Sequence, residues 1–305
     1  MIAKETCGNI TWIDIESPTK EDIRNIVKEY DIHPLIGEEL LSPTLRSKVD
    51  VYGNLIYLIL HFPIISRQNN ENIEQEIDFI IGKNLFITVH YGIIDSLTKE
   101  NRLFNVSAIL KKCEAIGNHA GFVFFHLIKE LYHNLVLELE SLQKELDYIE
   151  QNIFRGQEHL MVSQISKTNR TLLHFKRAVA QHRHVLESFE YVGENFFGSE
   201  FSYYLHAIIG EYYKVSASLD ISVDTLKELK ATNDSLLTTK TNDIMKILTI
   251  MAFVTFPLML FSSIFGMNTA YLPIVGSEND FWIIIGIMIV SAIIFFTYFK
   301  RKKWL

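Results

Sequence analysis

The sequence predicts an α+β membrane protein in which an N-terminal cytosolic α/β domain precedes long helices and two C-terminal transmembrane helices. Short apolar runs alternate with turn residues up to about residue 115, whereas helix-type periodicity dominates from about residue 118. Two stretches near the end, 247–267 and 281–299, contain no Asp, Glu, Lys or Arg. These observations divide the chain into a cytosolic α/β domain (1–117), cytosolic helices with a stalk (118–243) and a transmembrane domain (244–305).

The first division contains four strand-like runs, at 10–15, 55–61, 77–81 and 85–90. They are rich in Ile, Val, Phe and Tyr and are bounded by Gly, Asn or Pro, which is typical of strands. All four are expected to join one sheet.

A helix is predicted directly after the first run. Pro18 and Thr19 have the residue types of a helix start, and Glu21 and Asp22 fall in the first turn. Carboxylates there oppose the positive end of the helix dipole. The alternation of strands and a helix predicts an α/β domain.

Three long helices are predicted after residue 118, at about 120–154, at about 158–191, and from about 201 into the first charge-free stretch. The last contains neither Gly nor Pro between Glu211 and Phe256, so a stalk and the first span can form one rod of about 95 Å. Its apolar residues fall close to a seven-residue spacing, which predicts packing against other helices of the same chain or of symmetry mates. These residues are Ile208, Tyr212, Val215, Leu219, Leu226, Leu229 and Leu236.

The two charge-free stretches are long enough to cross a membrane. The first has 21 residues, which as a helix rise about 31 Å, roughly one hydrocarbon core, and the second has 19. We predict spans at about 245–267 and 281–299, an outer loop at 268–280 and a basic cytosolic tail at 300–305.

The distribution of charge predicts the orientation of these spans. Cytoplasmic loops are rich in Lys and Arg, and residues 300–303 are all basic, whereas the loop between the spans lacks both and contains Glu278 and Asp280. Residues 1–12 contain no apolar core long enough for a secretory signal. We therefore expect a multi-pass protein of the plasma (inner) membrane with both termini in the cytoplasm.

Composition narrows the function classes. A net charge of −7 disfavours nucleic acid as a partner and favours cations, in addition to the lipid bilayer. Cys7 and Cys113 are the only cysteines, so neither a structural disulfide nor a cysteine-rich metal site is expected. No Ser-His-Asp order, phosphate loop or paired-carboxylate site stands out, and we expect neither an enzyme nor an organic cofactor.

Polar residues at both ends of the first span indicate ion passage. Gly266, Met267 and Asn268 stand at its outer end, and nine hydroxyl, amide or carboxylate side chains crowd residues 232–243 before its inner end. Such a segment suits a hydrated vestibule. Two alternatives stay open: Gly266 and Asn268 can simply end and cap a helix, and the hairpin can simply tether a sensor or scaffold to the membrane.

One group of histidines has metal-like spacing. His119, His126 and His133 recur every seven residues, with Glu130 among them, and this spacing places them near one helix face. Zinc binds imidazole and carboxylate, but a packed or solvated face is the commoner reason for such spacing, and we favour it.

A second histidine group and an acidic run are interpreted as solvated surface. The histidines lie amid Lys and Arg, which disfavours a dication; they are His174, His182 and His184. The acids are Glu138, Glu140, Glu145, Asp147 and Glu150.

Several motifs together carry a family resemblance. In the first half they are Trp12-Ile13-Asp14 with Ser17-Pro18-Thr19, His33-Pro34-Leu35 with Glu38-Glu39, Arg46-Ser47-Lys48-Val49 and Phe86-Ile87-Thr88-Val89-His90. In the second half they are Asn242-Asp243-Ile244-Met245-Lys246-Ile247-Leu248-Thr249, Phe256-Pro257-Leu258, Phe265-Gly266-Met267-Asn268 and Tyr298-Phe299-Lys300-Arg301-Lys302-Lys303-Trp304-Leu305. With these motifs the chain resembles the CorA-type magnesium transporters along nearly its whole length.

The resemblance implies a funnel-shaped homopentamer in which the first span of each subunit lines a central pore and the second lies outside it. Gly266, Met267 and Asn268 would form the outer ion-entry site, where neutral oxygens hold Mg2+ that keeps its water. Glu278 and Asp280 would raise the local cation concentration. The residues expected to line the pore are Asn242, Met245, Leu248, Thr249, Phe256, Met259 and Ser263.

The resemblance also implies regulation by the transported ion. Mg2+ would be both substrate and regulatory ligand, with Co2+ and Ni2+ as secondary substrates, and cytosolic Mg2+ would bridge acidic groups of neighbouring subunits to hold the pore shut. The candidate regulatory acids are Glu38, Glu39, Asp220, Asp224 and Asp234.

Two departures from the family pattern keep a related alternative open. Many relatives follow Gly-Met-Asn with Met-Pro-Glu-Leu, whereas this chain has Tyr271-Leu272-Pro273-Ile274. Relatives commonly carry Thr where this chain has Met259. The alternative is a ZntB-like Zn2+ transporter, with or without proton coupling, since that branch shares Gly-Met-Asn and the basic end.

Overall fold

A computed structural model describes residues 2–65, 72–91, 117–268, 274, 276 and 279–302. The chain divides into two compact units, Met1–Lys230 and Ala231–Leu305. The domain boundaries near 117 and 243 remain predictions.

The first unit contains a mixed β-sheet. Its described strands are β1 (Ile2–Cys7), β2 (Ile10–Glu16), β3 (Lys48–Tyr52), β4 (Leu55–Ile65), β5 (Asn72–Ile81) and β6 (Leu85–His90). Their order across the sheet is β1-β2-β6-β5-β4-β3. Strands β2 and β6 pair in parallel, and the other neighbours pair antiparallel. The four predicted runs all form strands in this sheet.

The two strands that the sequence did not predict lie at the edges of the sheet. Strand β1 contains Lys4 and Glu5, and β3 contains Lys48 and Asp50. An edge strand has only one neighbour and tolerates charged side chains, so neither strand has the continuous apolar run that identifies the central ones.

Two short helices, α1 (Lys20–Glu29) and α2 (Pro34–Glu39), cover one face of the sheet. The predicted helix start is confirmed, because Thr19 caps α1 in a capping box with Asp22. Ile23 and Ile26 of α1 are buried against this face.

Three long helices pack on the opposite face and complete an α/β/α arrangement. They are α3 (Ala120–Phe154), α4 (Glu158–Ala180) and α5 (His182–Phe197). Aromatic side chains fill this layer: Phe124 of α3 lies 5.3 Å from Phe79 of β5 and 4.8 Å from Phe189 of α5, measured between ring centroids. The predicted α3 has the observed bounds.

The helix predicted at about 158–191 is divided, since α4 ends at Ala180 and α5 begins at His182. Neither Gly nor Pro marks this break in the sequence. Tertiary hydrogen bonds are made at this break: the backbone N–H of Ser47 donates to the Gln181 side chain at 3.0 Å, and the His182 ring reaches the carbonyl of His61 at 2.8 Å.

His182 is fully buried, so the prediction that it belongs to a solvated surface was wrong. Its Nε2 lies 2.8 Å from the His61 carbonyl, which can only accept, so Nε2 carries the proton. Nδ1 then accepts from the Tyr132 hydroxyl at 2.9 Å. Burial lowers the pKa of His182 to about 4, which keeps the ring neutral. His184, by contrast, is exposed.

Helix α6 (Ser202–Phe265) follows a 3-10 turn at Ser199–Phe201. Its predicted apolar seam is buried at six of seven positions, and Leu236 is half-buried. Within the first unit the seam packs in the same chain, since Tyr212 lies 6.5 Å from the Tyr132 ring of α3. Asp220 of α6 also pairs with Lys176 of α4 at 2.8 Å.

The second unit contains the rest of α6 and helix α7 (Asp280–Arg301). Both helices are long and apolar enough to cross a membrane. Lys300 and Arg301 form the basic last turn of α7. Most of the predicted outer loop and residues 303–305 of the predicted tail lie outside the described residues.

Replacing Tyr132 with Phe is expected to destabilise the first unit. The change leaves buried His182 Nδ1 without its donor, and an unsatisfied buried polar group costs about 1–3 kcal/mol. Thermal unfolding of the full chain in detergent measures the effect, with Tyr191→Phe as the matched control because Tyr191 is 75% exposed. Equal melting temperatures for the two variants would contradict the assignment of this hydrogen bond.

Candidate functional site

The candidate ion-entry site begins where α6 ends. The backbone N–H of Gly266 donates to the Ser262 carbonyl at 2.9 Å, and that of Met267 donates to Ile264 at 3.3 Å. A Cβ added to Gly266 would lie 3.0 Å from the Ser262 carbonyl oxygen. Because backbone cannot move aside as a flexible side chain can, this position favours glycine.

All three residues of the Gly-Met-Asn tripeptide are exposed in the single chain. Asn268 follows the end of α6 and lies outside the regular helix. Its exposed amide can meet a ligand, as can those last carbonyls of a helix that no helical N–H reaches.

The residues predicted to line a pore occupy one face of α6. At about 100° per residue they fall within an arc of about 120°. All seven are exposed, Met259 to 62%. They are Asn242, Met245, Leu248, Thr249, Phe256, Met259 and Ser263.

The opposite side of α6 is the less exposed one. Ile250 is buried. Val254, Phe261 and Phe265 follow it by about one, three and four helical turns, so they lie on the same side, and all three are half-buried. Helix α7 has a matching half-buried stripe that ends at buried Phe299, whose ring lies 6.1 Å from that of Phe253. The predicted pore face therefore lies opposite the half-buried side of α6, and Phe253, which is 56% exposed and contacts α7, lies on the flank between the two.

Threonines at the inner end of this face present oxygen lone pairs. The hydroxyl of Thr249 donates its proton to the Met245 carbonyl at 2.7 Å, and Thr238 and Thr241 donate in the same way to the carbonyls four residues earlier. Because each hydroxyl donates its proton to a carbonyl of the same helix, its oxygen lone pairs remain available to accept a hydrogen bond. Such oxygens suit the water molecules around a cation.

Asp280, one of the two predicted outer acids, is the first residue of α7. Its carboxylate accepts from the backbone N–H groups of Phe281 at 2.7 Å and Gly276 at 3.2 Å. A carboxylate here also opposes the helix dipole, so Asp280 organises the loop end while it remains half-exposed. Glu278 lies outside the described residues.

Lysines partner three of the five candidate regulatory acids. Glu39 pairs with Lys48 at 2.7 Å, and Asp50 holds the same ammonium at 2.8 Å. Burial lowers the pKa of Lys48, but Asp50 and Glu39 outweigh burial and raise it above its usual value. The sequence singled out Lys48 only as part of a motif; its place between two carboxylates depends on Asp50 of the same strand and on Glu39 at the end of α2.

The other candidate acids are exposed. Asp220 pairs with Lys176 at 2.8 Å and raises its pKa. The hydrogen bond and charge of Lys227, at 2.8 Å, lower the pKa of Asp224. Glu38 and Asp234 lie on exposed helix surface. Within the described ranges the structure brings no three His, Cys, Asp or Glu side chains together as metal ligands.

His119 of the first histidine group is packed among aromatic rings. Its ring centroid lies 4.4 Å from that of Phe122, 4.5 Å from that of Phe197 and 4.9 Å from that of Phe201. Burial lowers the pKa of His119 to about 4. His133 is exposed on α3. The packed interpretation of His119 is confirmed.

The fold and this site together define a class of membrane protein, in which an α/β domain precedes two apolar helices and the first of these ends in Gly-Met-Asn. The sequence model of the family described as CorA-like Mg2+ transporter protein matches residues 8–301, and the chain belongs to this family. The cobalt/magnesium transport protein CorA of Thermotoga maritima is 26% identical over 298 residues, which cover 97% of this chain and 83% of the relative. Members of the family are transporters and channels.

Solved structures share the fold. The complete CorA magnesium transporter from Methanocaldococcus jannaschii matches with a TM-score of 0.81 and 21% identity, over 97% of this chain and 92% of that chain. The cytoplasmic domain of ZntB from Vibrio parahaemolyticus matches with a TM-score of 0.59 and 10% identity, over 77% of this chain and 89% of that chain. At these identities the matches establish the fold alone: an N-terminal α/β domain with two C-terminal apolar helices in the complete transporter.

Replacing Gly266 with Ala is expected to lower the melting temperature of the full chain in detergent, because the new Cβ would crowd the Ser262 carbonyl. Gly286→Ala in α7 is the matched control. A Cβ there meets nothing within 4 Å, and alanine is the better helix former by about 1 kcal/mol, so this control is expected to keep or raise the melting temperature. Equal changes of melting temperature in the two variants would mean that a Cβ at position 266 is not crowded by the Ser262 carbonyl.

Proposed function

We propose that this protein is a channel for divalent cations that admits Mg2+ down the membrane potential. The observation that carries the proposal is the exposed Gly-Met-Asn tripeptide at the end of an apolar helix whose free face ends in the same place. Family membership supports it, as do relatives named for magnesium or cobalt/magnesium transport.

The proposed assembly is a funnel-shaped homopentamer. Five copies of α6 would line a central pore with the exposed face described above, α7 would lie outside, and the earlier part of α6 would serve as a stalk. The exposure of that face in the single chain supports this arrangement, because an apolar face with Met245, Leu248 and Phe256 free needs a partner or lipid.

The chemistry of the ion-entry site follows from the hydration of Mg2+, which loses its water reluctantly. Five Asn268 amide oxygens and Gly266 carbonyls would hold the hydrated ion through its water molecules. Neutral oxygens attract a dication without trapping it, so the ion can move on. Glu278 and Asp280 would enrich cations near this mouth.

Below the entry, rings of Met245 and Leu248 would form an apolar constriction that closes by dewetting. Ion entry does not need to be coupled to a chemical reaction, because the membrane potential drives it. A dication that crosses 100 mV gains about 4.6 kcal/mol, twice the single-charge figure. Both termini would be cytoplasmic, in a plasma (inner) membrane.

Regulation by cytosolic Mg2+ is part of the proposal, with Glu38, Glu39, Asp220, Asp224 and Asp234 as candidate ligands. Three of these carboxylates already hold lysines, so an arriving Mg2+ would have to displace an ammonium group. Asp234 is exposed on α6 with its side chain toward solvent, which leaves it open to a ligand on a neighbouring subunit. Co2+ and Ni2+ are proposed as secondary substrates.

The second candidate is a ZntB-like Zn2+ transporter. Met259 on the exposed face favours it, because a thioether is a softer lining than a hydroxyl. A membrane-tethered sensor or scaffold is the candidate from another class. It is disfavoured by Ser263 and Asn268, whose polar groups have no use in a simple tether.

Mg2+ uptake into liposomes under an inside-negative potential tests the proposal. Asn268→Ala is expected to abolish most of the flux, because each subunit loses its amide from the entry site. Asn279→Ala is the matched control, since Asn279 is exposed near the start of α7 and its side chain makes no cap hydrogen bond.

Repeating the assay with Zn2+ and a pH gradient separates the candidates. Zn2+ flux that follows the proton gradient would favour the ZntB-like function. Absence of flux for either ion would favour the tether, and equal Mg2+ flux in the two Asn variants would remove Asn268 from the entry site.

Cysteine substitution tests which face of α6 meets water. With Cys7 and Cys113 replaced by Ser, Met259→Cys and Ser263→Cys are expected to react with a charged thiol reagent in liposomes. Val254→Cys and Phe261→Cys on the less exposed side are the controls and are expected to react at least severalfold more slowly. The opposite order would show that the exposed face meets lipid instead of a water-filled pore.

A further inference from the structure

A cluster of ionisable side chains lies on the sheet face that α1 and α2 cover. Asp78 and Glu76 are on β5, and His61 is on the neighbouring strand β4. Asp78 is 0% exposed, Glu76 is buried, and the His61 side chain is largely buried. The cross-strand pairing of His61 with Glu76 brings their side chains together on one face.

Asp78 is in an environment that disfavours a carboxylate. Its Oδ2 accepts from the hydroxyls of Tyr57 at 3.1 Å and Tyr91 at 3.3 Å, whereas Oδ1 has no hydrogen-bond partner. In the part of the chain that the structure describes, no cation forms an ion pair with it. An unpaired buried charge is unfavourable, and the group takes up a proton instead. Burial and then the neighbouring Glu76 raise the pKa of Asp78 well above its usual value.

Glu76 fastens the segment 42–47 to the sheet. Its Oε2 accepts from the Thr44 backbone N–H at 2.6 Å, and Oε1 accepts from the Thr44 hydroxyl at 3.2 Å. These contacts join β5 to a residue 32 positions earlier. The carboxylate of Glu76 therefore holds a segment that has no regular secondary structure of its own.

His61 completes the attachment. Its Nε2 lies 2.9 Å from the Thr44 carbonyl and 3.2 Å from Glu76 Oε2, and its Nδ1 lies 3.0 Å from the Ser47 hydroxyl. The imidazolium has a proton on each nitrogen and can donate on both sides. Burial lowers the pKa of His61, but Glu76 and then the Thr44 carbonyl outweigh burial and raise it.

We propose that His61, Glu76 and Asp78 form a proton-binding clamp that holds the segment 42–47 on the sheet and releases it as the surrounding pH rises. The proton is the ligand, and its sites are the His61 imidazole and the buried Asp78 carboxyl. The proposal does not depend on the proposed ion transport.

The direction follows from proton linkage. Release would return His61 to water and its pKa toward the ordinary value, so the clamped form, in which that pKa is raised, binds more protons than the released form. For His61 the stabilisation is fully present below about pH 6.5, its ordinary value, and is lost as the pH rises through the folded-state pKa. Asp78, whose pKa is also raised, contributes with the same sign. Both groups therefore loosen the clamp on the alkaline side.

Charges from every neighbouring element bear on this cluster. Strand β3 supplies Lys48 and Asp50, α2 supplies Glu39, and α1 faces the sheet with isoleucines. The other titratable groups that face it are Glu74 of β5, Tyr57 of β4, Tyr91 after β6 and His182 of α5. Lys48 is held by Glu39 and Asp50, so it does not neutralise Asp78.

Release of the segment 42–47 would also affect the residues that contact it. The backbone N–H of Ser47 donates to the Gln181 side chain between α4 and α5, and the carbonyl of His61 accepts from His182. The segment also carries Leu45, which is 95% exposed. A change in its order would therefore alter both the sheet–helix junction and an exposed apolar side chain.

Hydrogen exchange of the full chain in lipid nanodiscs tests the clamp between pH 6 and pH 9. Protection of the Thr44 and Ser47 amides, corrected for the intrinsic pH dependence of exchange, is expected to fall severalfold over this range. His61→Gln is expected to show low protection at every pH. Asp78→Asn, which mimics the protonated acid, is expected to show a smaller fall than the wild type.

His184→Gln is the matched control, because that ring is exposed on the same helix as His182, and it is expected to behave as the wild type. Amides of buried β6 report whether a variant is folded. Constant protection of the segment 42–47 in the wild type would overturn the proposal, as would a fall in Asp78→Asn and His61→Gln equal to that of the wild type.

Discussion

Satisfaction of buried polar groups is the constraint on which the rest of the first unit depends. The apolar layers bring helices and sheet together, but they do not choose one register. The hydrogen bonds of His182 favour one register, because its two ring nitrogens have specific partners: the Tyr132 hydroxyl on α3 and the His61 carbonyl on β4. In an apolar interior each of these groups would be costly without its partner. The joint between α4 and α5 coincides with these hydrogen bonds and contains no Gly or Pro.

The second unit shows the reverse case, in which polar side-chain atoms stay exposed on one face of a helix. Helix α6 satisfies its own backbone, as a segment in lipid must, except that Pro257 offers no N–H to the Phe253 carbonyl. One face of this helix has little cover from its own chain. Hydroxyl groups on that face use their protons within the helix and keep acceptor oxygens outward. Helix α6 also contacts α7 through the rings of Phe253 and Phe299. One helix thus carries two chemically different surfaces. Because an α-helix has 3.6 residues per turn, sequence spacing determines on which surface each residue lies.

Much of this could be predicted from the sequence because its signals are local. Charge-free stretches, the Thr19 cap and the central apolar strands each depend on a few adjacent residues. The edge strands, the break at Gln181 and the burial of His182 depend on contacts between residues far apart in the chain. For the candidate site, the helix period predicted which residues share a face. The lysines that hold Glu39 and Asp220 became visible only when the fold paired them.

The parallel pairing of β2 with β6 has a consequence for biosynthesis. Strands β1 and β2 join the rest of the sheet only through β6, so the sheet cannot close until about residue 90 has left the ribosome. The first apolar span is made more than 150 residues later. Since domains fold as units during synthesis, N-terminal first, the sheet has time to close before the hydrophobic segments reach the translocation machinery.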